Sequence, residues 1–270
     1  MKTFNGKAIY NPSGAAGEYS YWACNFFVGC SNGCEYCYCK KGILKNVMGM
    51  DKPQLKKCFK DEYHAYEVFE RELMANIGEL REHGLFFSFT TDPLLDECLH
   101  LTWSAITVCL DSGVPVKILT KMAHWADSFL LFIETHSDYE KSEWKKLIAF
   151  GFTLTGHDEL EPGASTNAER IEAMKKIHYN GFKTFASIEP IIDFESSMRM
   201  IQETLGSCDL YKVGLMSGKK YNFCKLLDFT NTLSMLYSKM YIKDSIKKVL
   251  CGNYTPHDNF VSRDYNIFKN

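Results

Sequence analysis

The chain alternates short apolar runs, rich in Phe, Val and Ile, with longer segments in which apolar residues recur at helical spacing. This alternation is typical of repeated βα units around a parallel sheet. The apolar runs predict six strands, at residues 21–28, 85–89, 116–119, 150–154, 184–188 and 210–215. Helices are predicted at 66–80, 98–110, 125–135, 168–179 and 196–205. Because six strands are fewer than the eight of a closed barrel, we expect an α/β fold with a partial (β/α)6 TIM-like barrel.

No internal repeat, low-complexity tract or clear linker interrupts the 270 residues, so we expect one domain over 1–270. Its barrel core is predicted at about 20–217. A helical or irregular cap is predicted at about 221–270. A chain of this length with 46% hydrophobic residues can bury one large core.

Cysteine usage and charge narrow the class of protein. Most of the eleven cysteines lie singly, and the chain begins without a signal-peptide pattern, so we expect a cytoplasmic protein in a reducing compartment. Its apolar stretches, such as residues 129–133, are far shorter than the roughly 20 residues of a membrane-spanning helix, so no membrane partner is expected. The formal net charge of -2 provides no global positive field for a nucleic-acid backbone.

Three cysteines lie close together in the run Cys30-Ser-Asn-Gly-Cys34-Glu-Tyr-Cys37. Three thiolates on one loop can hold three irons of a [4Fe-4S] cluster and leave the fourth iron open to a ligand that is not protein. The alternative is a zinc knuckle with Cys39 as the fourth thiolate. Structural zinc usually takes its ligands from two separated pairs, and the chain has no second C-x-x-C pair. The spacing therefore favours the cluster.

Polar side chains follow the predicted strands, where a βα architecture places its ligand site. Thr91 and Asp92 follow the second strand and could hydrogen-bond a zwitterionic amino acid, or Asp92 could cap the next helix. Lys121 follows the third strand and could pair with a carboxylate, or lie solvated. Thr153 ends the fourth strand with a hydroxyl that could hydrogen-bond a ligand. Glu189 ends the fifth and could bridge ribose hydroxyls, or lie in a surface turn.

The C-x3-C-x2-C pattern, with an aromatic residue before its last cysteine, resembles the cluster loop of the radical S-adenosylmethionine (radical SAM) superfamily. The order of the later motifs resembles spore photoproduct lyase and its relatives within that superfamily, over about residues 30–192. These motifs are Thr91-Asp92, Leu119-Thr120-Lys121, Thr153-Leu154-Thr155, the Glu161-Pro162-Gly163 segment and Arg170-Ile171-Glu172-Ala173.

The resemblance implies that S-adenosylmethionine chelates the open iron of a [4Fe-4S] cluster held by Cys30, Cys34 and Cys37. One electron, from a flavodoxin-type or ferredoxin-type donor, would break its carbon–sulfur bond, and the resulting 5'-deoxyadenosyl radical would abstract hydrogen from a substrate. It also implies that Thr91, Lys121 and Thr153 contact S-adenosylmethionine and that Tyr36 and Tyr38 stand beside the cluster. Tyr38, the catalytic candidate, holds the position of a tyrosine in the hydrogen-transfer chain of the lyase, or simply packs there. The Glu161-Pro162-Gly163 segment and Arg170 are expected to be architectural.

Two positions depart from the lyase. Phe89 stands where the lyase has the cysteine that returns a hydrogen atom to the product radical, and Ser187-Ile188-Glu189-Pro190-Ile191 resembles instead phage-associated and prophage-associated members of the superfamily. The expected substrate is a nucleobase or nucleotide-related molecule. A peptide or small metabolite is the enzymatic alternative, and a zinc-stabilised binding module without catalysis is the non-enzymatic one.

Lys219 and Lys220 follow the last predicted strand. Their loop is expected at the mouth of the barrel, where it could hold a phosphate-bearing substrate or simply be solvated.

Overall fold

The computed structural model describes residues 3–253 and 257–269. Eight strands form one sheet in the order β1-β2-β5-β6-β7-β8-β9-β10, and β3 and β4 form a separate antiparallel pair. All neighbours from β2 to β10 are parallel, whereas β1 is antiparallel to β2. The strands are β1 (Ile9–Tyr10), β2 (Ala23–Cys24), β3 (Phe27–Val28), β4 (Gln54–Leu55), β5 (Leu85–Phe87), β6 (Val116–Thr120), β7 (Ile148–Thr153), β8 (Lys183–Ile191), β9 (Leu210–Leu215) and β10 (Met240–Ile242).

Helices lie between most of the strands, and a last helix follows the final strand. They are α1 (Lys45–Met48), α2 (Glu62–Ala75), α3 (Ile77–His83), α4 (Asp96–Asp111), α5 (Trp125–Glu134), α6 (Asp138–Leu147), α7 (Asn167–Tyr179), α8 (Phe194–Thr204), α9 (Phe223–Ser234) and α10 (Asp244–Leu250). Single 3-10 turns occur at Ala16–Glu18, Tyr38–Lys40, Gly42–Leu44, Asp158–Leu160 and Ile267–Lys269. Among the described residues, no helix is long and apolar enough to span a bilayer.

Local sequence explains where the helices begin and end. Thr166 caps α7 by accepting a hydrogen bond from the backbone N–H of Glu169, whose carboxylate accepts one in return from the Thr166 backbone. Gly181 follows this helix with a φ of +86°, a left-handed conformation that glycine adopts without steric cost. The chain can therefore turn directly from α7 into β8.

Side chains on opposite faces of the strands pack into two apolar groups. Phe87, Phe150 and Tyr211 face the surrounding helices and belong to the larger group. The neighbouring residues Phe86 and Leu210 belong to a smaller group that also contains Tyr19, Ala23, Ala149, Phe185 and Ile267. Because successive side chains of a strand point to opposite faces, this smaller group fills the concave side of the sheet.

The predicted α/β partial barrel is confirmed, and each of the six predicted strands overlaps a strand of the structure. Two details differ. The first predicted strand, 21–28, divides into β2, in the main sheet, and β3, which pairs with β4. The predicted helix at 66–80 is interrupted at Asn76, between α2 and α3.

The C-terminal tail differs most from expectation. The sequence predicted a helical or irregular cap from about residue 221, but β10 lies in the sheet and pairs in parallel with β9. The barrel therefore continues beyond residue 217. Three apolar residues are too short a run to distinguish a buried strand from a helix by periodicity.

Gly151 in β7 provides a test of packing inside the barrel. A Cβ at this position would lie 2.1 Å from Cζ of the Phe185 ring. We expect Gly151→Ala to lower the free energy of unfolding by about 1–3 kcal/mol through overpacking, measured by urea denaturation. Gly78→Ala is the matched control, because nothing lies within 4 Å of its Cβ position in α3. Gly78→Ala should raise the free energy of unfolding by about 0.5–1 kcal/mol. Equal effects of the two substitutions would contradict the packing argument.

Candidate functional site

A cavity of about 540 Å³ lies where the parallel strands end. Thr120, Thr153 and Leu215 are the last residues of β6, β7 and β9, and each lines it. All ten residues predicted from the sequence as site residues line this cavity: Cys30, Cys34, Tyr36, Cys37, Tyr38, Thr91, Asp92, Lys121, Thr153 and Glu189. The structure thus brings together residues that are up to 159 positions apart in sequence.

The cysteine loop packs on the Glu161-Pro162-Gly163 segment. The Gly163 N–H donates to the Asn32 carbonyl at 3.0 Å, and the Glu35 N–H donates to the Leu160 carbonyl at 3.0 Å. A Cβ on Gly163 would lie 2.1 Å from the Ser31 carbonyl oxygen, so this close approach requires glycine. The segment is therefore architectural, in agreement with the expectation from the sequence.

The three cysteines differ in environment. Cys34 is buried, whereas Cys30 and Cys37 are half-buried. A hydrogen bond from the neighbouring Cys39 thiol holds the pKa of Cys37 below its usual range. Burial raises the pKa of Cys30 to about 11. Since thiols bind metal as thiolates, the lowered pKa would make Cys37 the most readily available of the three thiols if a metal group bound here.

The arrangement of the possible donor side chains decides which kind of metal group they fit. Within residues 3–253 and 257–269, no group of three or more His, Cys, Asp or Glu side chains is arranged around a single metal ion. A [4Fe-4S] cluster does not require such convergence, because each cysteine binds a different iron. Three thiols that line one cavity within eight residues of each other fit a cluster.

The Asp92 carboxylate lines the cavity, and both of its oxygens accept hydrogen bonds from protein donors. Its Oδ1 accepts from the Thr120 hydroxyl at 2.7 Å and the Leu94 N–H at 3.1 Å. Its Oδ2 accepts from the Lys121 N–H at 2.7 Å and the Asn32 side-chain amide at 2.9 Å. With four protein donors on two oxygens, this buried carboxylate joins the cysteine loop to the end of β6.

Asn32 contributes an unpartnered oxygen to the cavity wall. Its side-chain nitrogen faces the Asp92 carboxylate, which can only accept, so the amide oxygen points the other way. That Oδ1 atom is buried and has no hydrogen-bond partner among the described residues. Because buried polar atoms are nearly always hydrogen-bonded, this oxygen can accept from a donor that the described residues do not supply.

Lys121 places its ammonium 5.5 Å from the centre of the Tyr36 ring. Burial opposes its charge, but the Cys34 and Glu161 side chains raise the pKa of Lys121 above its ordinary value. In the part of the chain that the structure describes, this ammonium has no ion pair or side-chain hydrogen bond. It is therefore a positive charge at the cavity wall that is available to an anionic group.

Tyr36 is held in place by a buried ion pair. Its hydroxyl donates to one oxygen of Glu161, whose other oxygen accepts from the Arg170 guanidinium. Arg170 is fully buried and also donates to the Thr153 carbonyl at 2.6 Å. The pair therefore fixes the end of β7 against the cysteine loop.

The remaining predicted residues have less defined contacts. Thr153 is buried with its side chain on the cavity wall. The Thr91 hydroxyl lies 3.9 Å from the sulfur of Cys98, a weak interaction at most. Tyr38 is half exposed, and its hydroxyl donates to the carbonyl of Phe89.

Glu189 lines the cavity and belongs to a largely buried hydrogen-bond network. Its Oε2 accepts from the Tyr19 hydroxyl at 2.8 Å and the Lys243 ammonium at 2.6 Å. The Tyr19 hydroxyl also contacts the Ser187 hydroxyl at 2.7 Å. Sequence reasoning missed Tyr19 and Lys243. Lys243 directly follows the apolar run Met240-Tyr241-Ile242, the same signal that identified Lys121.

The loop of Lys219 and Lys220 lies next to the cavity wall formed by Met216 and Ser217. The Lys219 ammonium donates to the Ile192 carbonyl, so this lysine stabilises its own loop. Lys220 is exposed and remains available to a phosphate.

No protein-family model matches this chain, and no curated protein matches it either. One solved structure that matches is the crystal structure of Streptococcus suis SuiB bound to S-adenosylmethionine. The TM-score is 0.51 at 12% sequence identity, over 86% of this chain and 50% of SuiB. The two chains share a fold. This chain spans about half the length of SuiB.

The ion pair between Arg170 and Glu161 generates a prediction about the site. Arg170→Met should lower the free energy of unfolding by about 3–5 kcal/mol, because it leaves the Glu161 carboxylate buried and unpaired. The double variant Glu161→Gln/Arg170→Met removes that charge and should recover part of the loss, as measured by urea denaturation. Equal stability of the single and double variants would mean that the unpaired charge is not the cause.

Proposed function

We propose that this protein is a radical SAM enzyme. Cys30, Cys34 and Cys37 would hold a [4Fe-4S] cluster. Lys121, Thr153, Thr91 and the Asn32 amide oxygen would bind S-adenosylmethionine. The observation that carries the proposal is that every site residue expected from the motifs lines one cavity at the carboxyl ends of the strands. The fold shared with SuiB, a protein whose crystal structure contains bound S-adenosylmethionine, supports it.

The charges on the cavity wall suit the zwitterionic end of S-adenosylmethionine. The Lys121 ammonium would pair with its carboxylate, and the Asn32 Oδ1 atom would accept from its amino group. Glu189 would accept from a ribose hydroxyl or from the substrate. Asp92 would act through Asn32 and Lys121 by fixing their positions, since its own oxygens are occupied.

Once bound, the cluster and S-adenosylmethionine would supply reductive cleavage of the carbon–sulfur bond and a 5'-deoxyadenosyl radical that takes a hydrogen atom from substrate. The protein's part is to exclude water from this reaction. Phe89 and Leu119 line the cavity and supply apolar surface there. Tyr38, beside the cysteines, stays a candidate for hydrogen transfer.

A nucleobase or nucleotide-related substrate is the class we favour. Phe89 lies on the cavity wall and stacks on Phe86, with ring centres 4.4 Å apart and an interplanar angle of 14°. An aromatic wall of this kind can stack a base, and the Glu189 carboxylate can accept from a base N–H. Incubation with S-adenosylmethionine, dithionite and candidate nucleosides, oligonucleotides, peptides or extract fractions tests the class. The true substrate should increase the formation of 5'-deoxyadenosine. When this substrate is labelled with deuterium, the label should appear in the 5'-deoxyadenosine.

The cysteines generate the first functional prediction. Cys30→Ala, Cys34→Ala and Cys37→Ala should each remove an iron ligand and abolish cleavage of S-adenosylmethionine. The measurements are iron content and brown colour after anaerobic reconstitution. Cys58→Ala is the control, because this cysteine is exposed and lies outside the cavity. About four irons per chain in any loop variant would contradict the assignment. Colourless wild-type protein that contains zinc would favour the binding module instead.

Lys121 and Thr153 generate the second functional prediction. Lys121→Ala should weaken binding of S-adenosylmethionine by about one to two decades, because a charge-assisted hydrogen bond contributes about 1.5–3 kcal/mol. Thr153→Val should weaken it less, since the hydroxyl is neutral. Calorimetry on the cluster-containing protein measures both, with Lys225→Ala, an exposed lysine of α9, as control. Wild-type affinity in the Lys121 variant would place the carboxylate elsewhere.

A further inference from the structure

The segment that follows the cysteine loop exposes a group of large apolar side chains. Ile43 is 87% exposed, Val47 57%, Tyr38 51% and Leu44 40%. These four residues lie within ten positions of each other, around the 3-10 turn Gly42–Leu44 and the short helix α1. Single exposed apolar side chains are ordinary, but a group of this kind marks an interaction surface.

The same part of the chain is strongly basic. Residues 36–60 contain seven of the 31 basic side chains of the protein but only one of its 33 acidic ones, Asp51. Asp51 pairs with Lys40 at 2.6 Å. Lys41, Lys45 and Lys52 are exposed. A local positive field therefore surrounds the apolar group, although the net charge of the chain is -2.

The inner side of this segment forms part of the cavity wall. Cys39, Lys40, Met48 and Met50 line the cavity, and the Cys30 N–H donates to the Met50 carbonyl at 3.0 Å. This short segment therefore has cavity-lining residues on one side and solvent-exposed residues on the other. A protein bound to its outer side would lie close to the cysteines.

We propose that this surface, residues 38–52, docks an acidic one-electron carrier protein that reduces the cluster. The inference rests on the proposed function, because it assumes the cluster. The carrier loses one electron and the cluster gains one, and no atom is transferred. Opposite charges would steer the encounter, and the apolar group would form the centre of a small interface of the size typical of redox encounters.

The composition of the surface favours a protein over a nucleic acid. Its centre consists of the aliphatic residues Ile43, Leu44 and Val47, which offer no ring for base stacking. Residues 38–52 contain no arginine. Tyr38 is the only aromatic residue in this range, and its hydroxyl is already bound to the Phe89 carbonyl. Apolar contacts inside a charged rim are the usual anatomy of a protein interface.

The test compares two double variants in the full chain after anaerobic cluster reconstitution. Lys45→Glu/Val47→Asp reverses a charge and introduces another at the surface, at residues that do not line the cavity. Leu131→Asp/Lys225→Glu is the matched control, because Leu131 is 66% exposed on α5 and Lys225 is exposed on α9. Stopped-flow absorbance follows cluster reduction, first by reduced flavodoxin as the acidic carrier and then by dithionite, which needs no docking surface.

We expect the surface variant to lower the second-order rate constant with flavodoxin roughly tenfold at low ionic strength, and this difference to shrink as salt is added. Rates with dithionite, and all rates of the control, should match wild type. Unchanged flavodoxin rates in the surface variant would overturn the proposal. So would a variant that loses only oligonucleotide binding, or only self-association measured by light scattering. If dithionite cannot reduce the wild-type protein, the proposed function itself is overturned. This outcome differs from failure of the docking proposal, in which dithionite reduces the cluster normally.

Discussion

The carboxylate of Asp92 connects three separate parts of the candidate site. It accepts from the side chain of Asn32 in the cysteine loop, from Thr120 and Lys121 at the end of β6, and from the Leu94 N–H just before α4. A buried carboxylate is stable only if it is fully hydrogen-bonded, so Asp92 depends on all four donors. The four donors are in turn held in place by Asp92. The position of the cysteine loop relative to the end of β6 depends on this group.

A second connection holds the cysteine loop from the other side. Glu161 receives Tyr36 and Arg170 on its two oxygens, and the following Pro162-Gly163 turn lies against residues 31–33. Cβ atoms on Gly33 and Gly163 would contact Pro162 and Ser31. The loop is thus fixed by hydrogen bonds and by close packing before any ligand binds. Preorganisation of this kind lowers the entropy lost when a cofactor is ordered.

The sequence could predict the residues that follow strands, because in a parallel βα architecture these positions converge whatever the rest of the chain does. For this reason Thr91, Lys121, Thr153 and Glu189 all reached one cavity. The distinction between a ligand-binding and a structural role could not be predicted. Asp92 has the same sequence signal as its neighbours, and only the positions of its four donors show that it organises the site.

The N-terminal segment was the largest feature hidden from sequence reasoning. It enters the barrel because Lys117, Lys212 and Lys243 donate to its carbonyl groups, at Tyr19, Glu18 and Ala15 respectively. These contacts join residues about 100 to 230 positions apart, and nothing in the local pattern at 13–19 predicts them. Burial lowers the pKa of Lys117 to about 8 and holds the pKa of Lys212 well below its usual range. The ammonium groups of Lys117 and Lys212 donate to these backbone carbonyls.

The distribution of charge explains why the net value of -2 says little about partners. Charges on a protein surface are screened over about 10 Å at ordinary ionic strength, so a partner responds to the residues it approaches. Here residues 36–60 hold seven basic side chains and one acidic one, whereas acidic side chains outnumber basic ones by 32 to 24 in the rest of the chain. The sequence argument against nucleic-acid binding therefore applies to the molecule as a whole and not to residues 36–60. At that surface the choice between partners depends on the apolar side chains among the lysines, and aliphatic residues favour a protein.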